Sequence, residues 1–299
     1  MNLDSAATFN VYRTRLFGIA YRMLGSKADA EDVVQDAYLR WHAEDAAKVD
    51  SAEAWLKTVV TRLAIDRLRK AKVERANYPG PWLPEPLPAV DANTPETALE
   101  LEGDVSIAFL ALLETLAPEE RAIFVLHDVL DDDYADIASM LGKSEASCRQ
   151  IVHRARERLT SRRQRFLIDE QTRTRMLQRF IEAATSGDRA AIRALFAENA
   201  TLVSDGGGKG VAATRPLHGA ERISWLWYAV AKRAQGKAER RIVRVNGEIA
   251  LANYFFGHLH SISVVVTDGN LIHEYYTVAN PDKLGSFARS VRAPLMADS

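Results

Sequence analysis

A single cysteine in 299 residues has no partner for an internal disulfide, which excludes a small cross-linked secreted scaffold. No run approaches the ~18 consecutive apolar residues of a membrane-spanning helix. The start, MNLDSAATFN, lacks the basic segment and apolar run of a secretory signal. Excess charge is missing too. With 39 Lys+Arg against 40 Asp+Glu, affinity for a polyanion must come from local clustering. The expectation is a soluble cytoplasmic chain with no membrane partner and, at ~100–200 residues per domain, two or three domains.

Another absence is local. Residues 76–104 contain no Lys or Arg but carry six prolines and six acids, Glu85, Asp91, Glu96, Glu100, Glu102 and Asp104. Such a stretch is extended rather than helical, and its charge keeps it off nucleic acid. Within it, Trp82 and Leu83 are large apolar side chains that a free tether does not need. They read as an anchor for another surface, one within this chain included.

What is present is clearest from Asp133 to Arg165. DYADIASMLG is a short amphipathic helix, KSEA a tight turn, and SCRQIVHRARERL a second helix. Ala138 allows close crossing, Gly142 takes the left-handed turn position, and Cys148 and Ile151 bury the second helix, as a helix-turn-helix requires. From Lys143 to Arg165 eight basic residues face two acids, net +6. This suits a helix that enters a major groove and touches phosphates. The preceding Asp131–Asp132–Asp133 run lacks the glycine and terminal glutamate of a calcium loop, and reads as a solvated connection and helix cap.

Residues 5–75 read as three helices. The first carries Phe9, Leu16, Phe17, Ala20, Tyr21 and Leu24 and stops at Gly25. The second has an inner stripe of Val33, Val34, Ala37, Leu39 and Trp41, with Glu31, Asp32, Gln35 and Asp36 outside. The third starts at Asp50 or Ser51, with Glu53 placed for a capping box. It lines up Leu56, Val60, Leu63, Ala64 and Ala71 on one face and Trp55, Val59, Arg62, Asp66 and Arg69 on another. A tryptophan in line with arginines can stack an unpaired base beside held phosphates; it can equally be a core residue beside a basic ridge. Residues 105–132 resume helix, with Pro118 in a first turn and Ile123, Phe124, Leu126 and Val129 inside.

DAEDVVQDAYLRWH followed by AWLKTVVTRLAIDRLRK resembles region 2 of bacterial extracytoplasmic-function sigma factors, and the helix-turn-helix ending IVHRARERL resembles their region 4. The resemblance implies that Asp32, Gln35 and Asp36 dock the β′ clamp helices of core RNA polymerase, with the β flap as a second contact. It implies that the third helix and the loop before it (Ala43–Trp55) open and read a −10 element, through Arg62, Asp66, Arg69 and Lys70 with Trp55 near the melted base. Ser147, Arg149, His153 and Arg154 of the helix Ser147–Arg158 would read a −35 element, Arg149 being suited to a guanine. The linker of such factors threads polymerase near its active site.

Residues 171–299 change character. TRMLQRFIEAATSG, DRAAIRALFAEN and HGAERISWLWYAVAKRA read as helices and NATLVSD as a strand. RIVRVNGEIALANYFFG and HLHSISVVVTDGNLIHEYYTVANP read as antiparallel hairpins turned at NG and DG. This α+β pattern resembles the SnoaL-like members of the nuclear-transport-factor-2 fold, a cone that often encloses a pocket. DGGGK (Asp205, Gly206, Gly207, Gly208, Lys209), NPDKL (Asn280, Pro281, Asp282, Lys283, Leu284) and WLPEP (Trp82, Leu83, Pro84, Glu85, Pro86) resemble the signatures of sigma factors with a fused SnoaL-like domain, the SigJ-type group. The three glycines permit close backbone approach, and their N–H groups suit an anion or the acidic linker. NPDKL reads as a helix-starting turn; the resemblance makes it a contact with the sigma modules.

The fold class expected is thus multidomain: two all-α sigma modules, region 2 (1–75) and region 4 (105–170), joined by the linker 76–104 and followed by an α+β NTF2-like cone (171–299). The function expected is an alternative sigma factor, not an enzyme, regulated by its own C-terminal domain, with no cofactor and no metal. The cone leaves room for a small ligand as a partner. Base candidates for catalysis are Asp205, His218, His258, His260, His273 and Tyr276, and the paired His258 and His260 lack a convincing third metal ligand. Two rivals stand beside this reading: a one-component DNA-binding regulator with a ligand-sensing domain, and a DNA-tethered SnoaL-type cyclase or isomerase.

Overall fold

The computed structural model describes residues 3–45, 48–88, 105–163 and 168–290. The chain forms two compact units, and most of the linker's acids lie outside the described residues.

The first unit begins with α1 (Leu3–Leu24), α2 (Lys27–Ala43) and α3 (Ala52–Arg75). Gly25, at φ 64°, ends α1 as expected. Ser26 and Ser51 accept from the amides of Asp29 and Ala54 and start the next two helices. With Ser51 as the cap, Glu53 sits one place too early for a capping box, and it pairs with Arg15 instead. Of the inner stripe expected for α2, Val33, Val34, Ala37 and Trp41 are buried, whereas Leu39 is 56% exposed. At about 100° of rotation per residue the four buried side chains share one side of the helix. Leu39 falls on the other side, between Gln35 and Asp36.

From residue 109 to 161 the same unit continues with most of α4 (Ile107–Leu113), with α5 (Pro118–Phe124), a wider π-type turn over Val125–Val129, α6 (Tyr134–Leu141) and nearly all of α7 (Glu145–Arg163). Gly142 takes φ 63° between the last two, and Ala138, Cys148 and Ile151 are buried, so the helix-turn-helix stands. Asp132 is not solvated. Its carboxylate pairs with Lys57 of α3, both side chains largely withdrawn from water. Arg121, 1% exposed, donates to the Arg22 carbonyl and pairs with Glu114, which also pairs with Arg75. Arg75 in turn donates to the Leu24 carbonyl at 3.0 Å, so two guanidiniums satisfy the open carbonyl end of α1.

Of the described residues, the second unit comprises 78–88, 106–108, 162–163 and 168–290. Helices α8 (Glu170–Ser186), α9 (Arg189–Ala194) and α10 (Ala220–Ala234) pack on a six-stranded sheet, and α11 (Pro281–Ser290) closes the described chain. The strands are β1 (Phe196–Asp205), β2 (Leu217–His218), β3 (Ala238–Val245), β4 (Glu248–Phe255), β5 (His258–Thr267) and β6 (Ile272–Val278), in the order β2-β1-β6-β5-β4-β3. The NG and DG hairpins form, but the sheet is mixed, because β1 runs parallel to β6. Phe196–Asn199, expected as the end of a helix, is strand instead: Phe196 pairs with Ile272 and packs edge-on to Phe180. Tertiary pairing overrides local periodicity there.

Phe180 also meets Trp227 edge-to-face at 4.9 Å and Tyr275 at 5.3 Å. Phe180→Ala is expected to cost about 3–5 kcal/mol in urea unfolding. Glu248, beside Arg173 at 2.7 Å, is pushed by burial from 4.5 up to about 7. A raised carboxyl pKa means that unfolding releases a proton between those values, so stability falls as pH rises through that window. The thermal midpoint should decline from about pH 5 to about pH 7, and less steeply in Glu248→Gln.

Candidate nucleic-acid surfaces and the linker clasp

Asp32, Gln35 and Asp36 are exposed together on α2, and Leu39 one turn on gives that acidic face an apolar centre that the helical-stripe reading missed. On α3, Trp55 is half-buried and tilts against Trp41 at 5.4 Å, so one face of its ring is already packed. Arg62 donates twice to the Met140 carbonyl, at 3.0 and 2.8 Å, which closes the C-terminal end of α6. Arg69 bridges Asp66 at 2.8 Å and Glu119 at 2.6 Å, and Lys70 is exposed. Two members of the α3 row expected to meet nucleic acid, Arg62 and Arg69, therefore touch α6 and α5 of their own unit. The loop expected to help is described except for residues 46 and 47.

On α7, Arg149, His153 and Arg154 are exposed and Ser147 is half-buried in the first turn, where its amide meets the Ser144 hydroxyl. The basic excess is smaller than the count suggested. Arg156 pairs with Asp128, Arg158 with Glu120, Lys143 with Glu119 and Arg149 with Glu145. Arg149 also lies 5.2 Å from the Tyr134 ring centre, and His153 is 3.6 Å from Glu157.

The three short motifs of the second unit converge on one carboxylate. Asp205 has no exposed surface. Its Oδ1 accepts from the Tyr78 hydroxyl at 2.6 Å and the Gly207 amide at 3.1 Å; its Oδ2 accepts from the Leu83 amide at 2.8 Å and Lys283 Nζ at 2.7 Å. Lys283 Nζ also donates to the Leu83 carbonyl and lies 3.9 Å from the Trp82 ring centre. Asn280 Nδ2 donates to the Tyr78 hydroxyl at 2.8 Å while its Oδ1 accepts from the Asp282 amide. Burial, together with Asp205, drives the Tyr78 hydroxyl well above its ordinary pKa. Further along, Leu87 exchanges hydrogen bonds with Asn246, and Pro88 bridges Val245. Leu83, Pro84, Pro86, Leu87 and Pro88 are buried, and Trp82 and Glu85 half-buried.

Leu83 is thus buried within this unit, and the polarity of its contact is the reverse of the one expected. The glycine amides were expected to receive an acidic linker; instead the motif's own aspartate receives the linker's amide. The glycines serve by their bareness, since a Cβ on Gly207 would strike Asn280 and one on Gly208 would strike Pro79. NPDKL does start a helix, α11, with Asp282 in its first turn and in an ion pair with Lys209, and Leu284 is buried. Of the base candidates, Asp205 is occupied four times, His273 meets Asp268 at 2.8 Å, Tyr276 donates to Glu274, and His218 and His258 are exposed. Among the described residues no cluster of His, Cys, Asp and Glu is arranged for a metal ion, and no helix is long and apolar enough to cross a membrane.

Comparison with known proteins gives the class first. Residues 8–74 match sigma-70 region 2 and residues 106–159 match sigma-70 region 4. Over 298 residues, 95% of either chain, the protein is 34% identical to the ECF RNA polymerase sigma factor SigJ of Mycobacterium tuberculosis. It is 31% identical over 61% of its length to the probable ECF sigma factor SigI of the same species. The crystal structure of M. tuberculosis SigJ superposes with a TM-score of 0.75 at 32% identity, covering 94% of this chain and 98% of that one. The chain belongs to the extracytoplasmic-function RNA polymerase sigma factors.

Removing one half of the buried Asp205–Lys283 pair strands the other. Asp205→Ala is expected to cost about 3–5 kcal/mol in urea unfolding, and Asp205→Ala with Lys283→Met less than the sum of the single changes.

Proposed function

We propose that this sigma factor directs promoter-specific initiation from the cytoplasm, and that its SnoaL-like domain (171–299) governs when the region-2 (1–75) and region-4 (105–170) modules are free to act. Asp32, Gln35 and Asp36, with Leu39, form the face for the β′ clamp helices, and the β flap receives region 4. Trp55, Arg62, Asp66, Arg69 and Lys70 act at the −10 element; Ser147, Arg149, His153 and Arg154 act at the −35 element. The observation that carries regulation is the Asp205–Lys283 clasp on Tyr78 and Leu83, which ties the start of the linker between the two promoter-reading modules to the C-terminal domain. Supporting it, Arg62 and Arg69 are engaged by Met140 and Glu119, so promoter contact requires that they be released. An ordinary DNA-binding regulator would have no use for the exposed acidic α2 face.

The test is run-off transcription with purified core polymerase and a selected promoter library. Arg154→Ala should weaken promoter use without weakening core binding. Truncation after residue 168, or Asp205→Ala, should change transcript yield by roughly 5–150-fold, the range a coupling of 1–3 kcal/mol gives. Yield equal to that of the intact chain sinks the regulatory claim, and failure to bind core polymerase in any form sinks the whole reading.

A further inference from the structure

The second unit contains a cavity of about 420 Å³ between α10 and the sheet, a size that suits a small organic molecule. Leu202, Leu226, Val230 and Phe255 give it apolar walls. Ser204, Asn253, His260, Ser261 and Thr277 add polar side chains to the lining. The Asn253 amide nitrogen is engaged by Ser261 and Ser263. Charge is nearly absent. Arg233 is exposed, and burial holds His260 below its ordinary pKa, so its ring is neutral near pH 7. At the rim, Val211 and Phe256 are 71% and 61% exposed, and Phe256 sits at φ 53° in the β4–β5 turn. Large apolar side chains held in water around an apolar opening gain from an occupant.

The wall nearest the linker is one loop, residues 206–214. Val211, Ala212 and Ala213 line the cavity, and the Val211 backbone is hydrogen-bonded to His260. On its other side Gly208 abuts Pro79, and the Thr214 backbone lies against Gly80. Asp205 immediately precedes this loop and holds the clasp.

We infer that the cavity binds an uncharged, largely apolar small molecule, and that the loop 206–214 transmits its presence to the clasped linker. The second half rests on the regulatory reading above; the binding does not, and both are measured without polymerase. The probe is N-phenyl-1-naphthylamine, a neutral aromatic with one N–H, titrated by fluorescence into the full chain. Saturable binding at one site is expected, weakened at least about tenfold, or 1.4 kcal/mol, by Ala213→Phe and by Leu226→Trp. Absence of saturable binding, or undiminished binding in folded filled variants, overturns the site. Hydrogen exchange of the unsubstituted chain gives a reading that needs no variant. The probe should protect peptides covering 202–213 and 226–230 and alter exchange at the Leu83 and Leu87 amides. Protection confined elsewhere overturns the site; protection there with unchanged exchange at Leu83 and Leu87 overturns the transmission.

Discussion

A carboxylate with no access to water survives only if its surroundings replace the lost hydration, and Asp205 has that replacement in full. Two donors per oxygen, one of them a lysine ammonium, offset a desolvation penalty that is several kcal/mol per ion even after relaxation. Those donors come from the linker, from the glycine turn and from α11. The single charge therefore decides where three separate stretches of chain sit. The linker's prolines lower the entropy cost of the arrangement, because Pro79, Pro81, Pro84, Pro86 and Pro88 have little freedom left to lose when Tyr78–Pro88 is laid down.

Within the sigma modules the contacts fall into two grades. Arg69–Glu119 and Arg149–Glu145 are largely exposed, and such pairs contribute about 0–1 kcal/mol each. Lys57–Asp132 and the Arg121–Glu114–Arg75 group are withdrawn from water, so breaking one partner away leaves a charge stranded. Arg62, on the exposed rim, gives up two bonds to a carbonyl and can regain phosphate or water in return. Arg62 and Arg69, which we propose contact the promoter, are thus held by the weaker grade.

How much of this is legible in the sequence follows from the range of each interaction. Helical periodicity locates the helix-turn-helix, and the glycines at 142, 247 and 269 mark their turns, because those signals are local. Trp82 and Leu83 are readable as an anchor because large apolar residues in a proline-rich acidic run have no local use. Leu39 is apolar like its neighbours in the α2 stripe, but the helical angle puts it on the exposed face, so composition alone misplaces it. Phe196–Asn199, the parallel β1–β6 pair and the Lys57–Asp132 bridge are not readable, since each depends on a partner 70 or more positions away. The clasp is the instructive case. DGGGK and WLPEP both stand out in the sequence, yet which of them supplies the charge and which the amide is a matter of three-dimensional register.

The choice of a buried ion pair for the clasp also has a consequence for regulation. Apolar residues of the same size would hold the linker as well or better, and would let it go gradually as contacts were shed. A charge pair behaves otherwise: intermediate positions leave Asp205 or Lys283 without hydration and without a partner, so they cost more than either end state. Such a contact has two settled conditions, engaged and fully solvated, separated by an unfavourable middle. That is the property a domain needs if it is to keep two promoter-reading modules from acting until a defined event, and then release the tether between them completely.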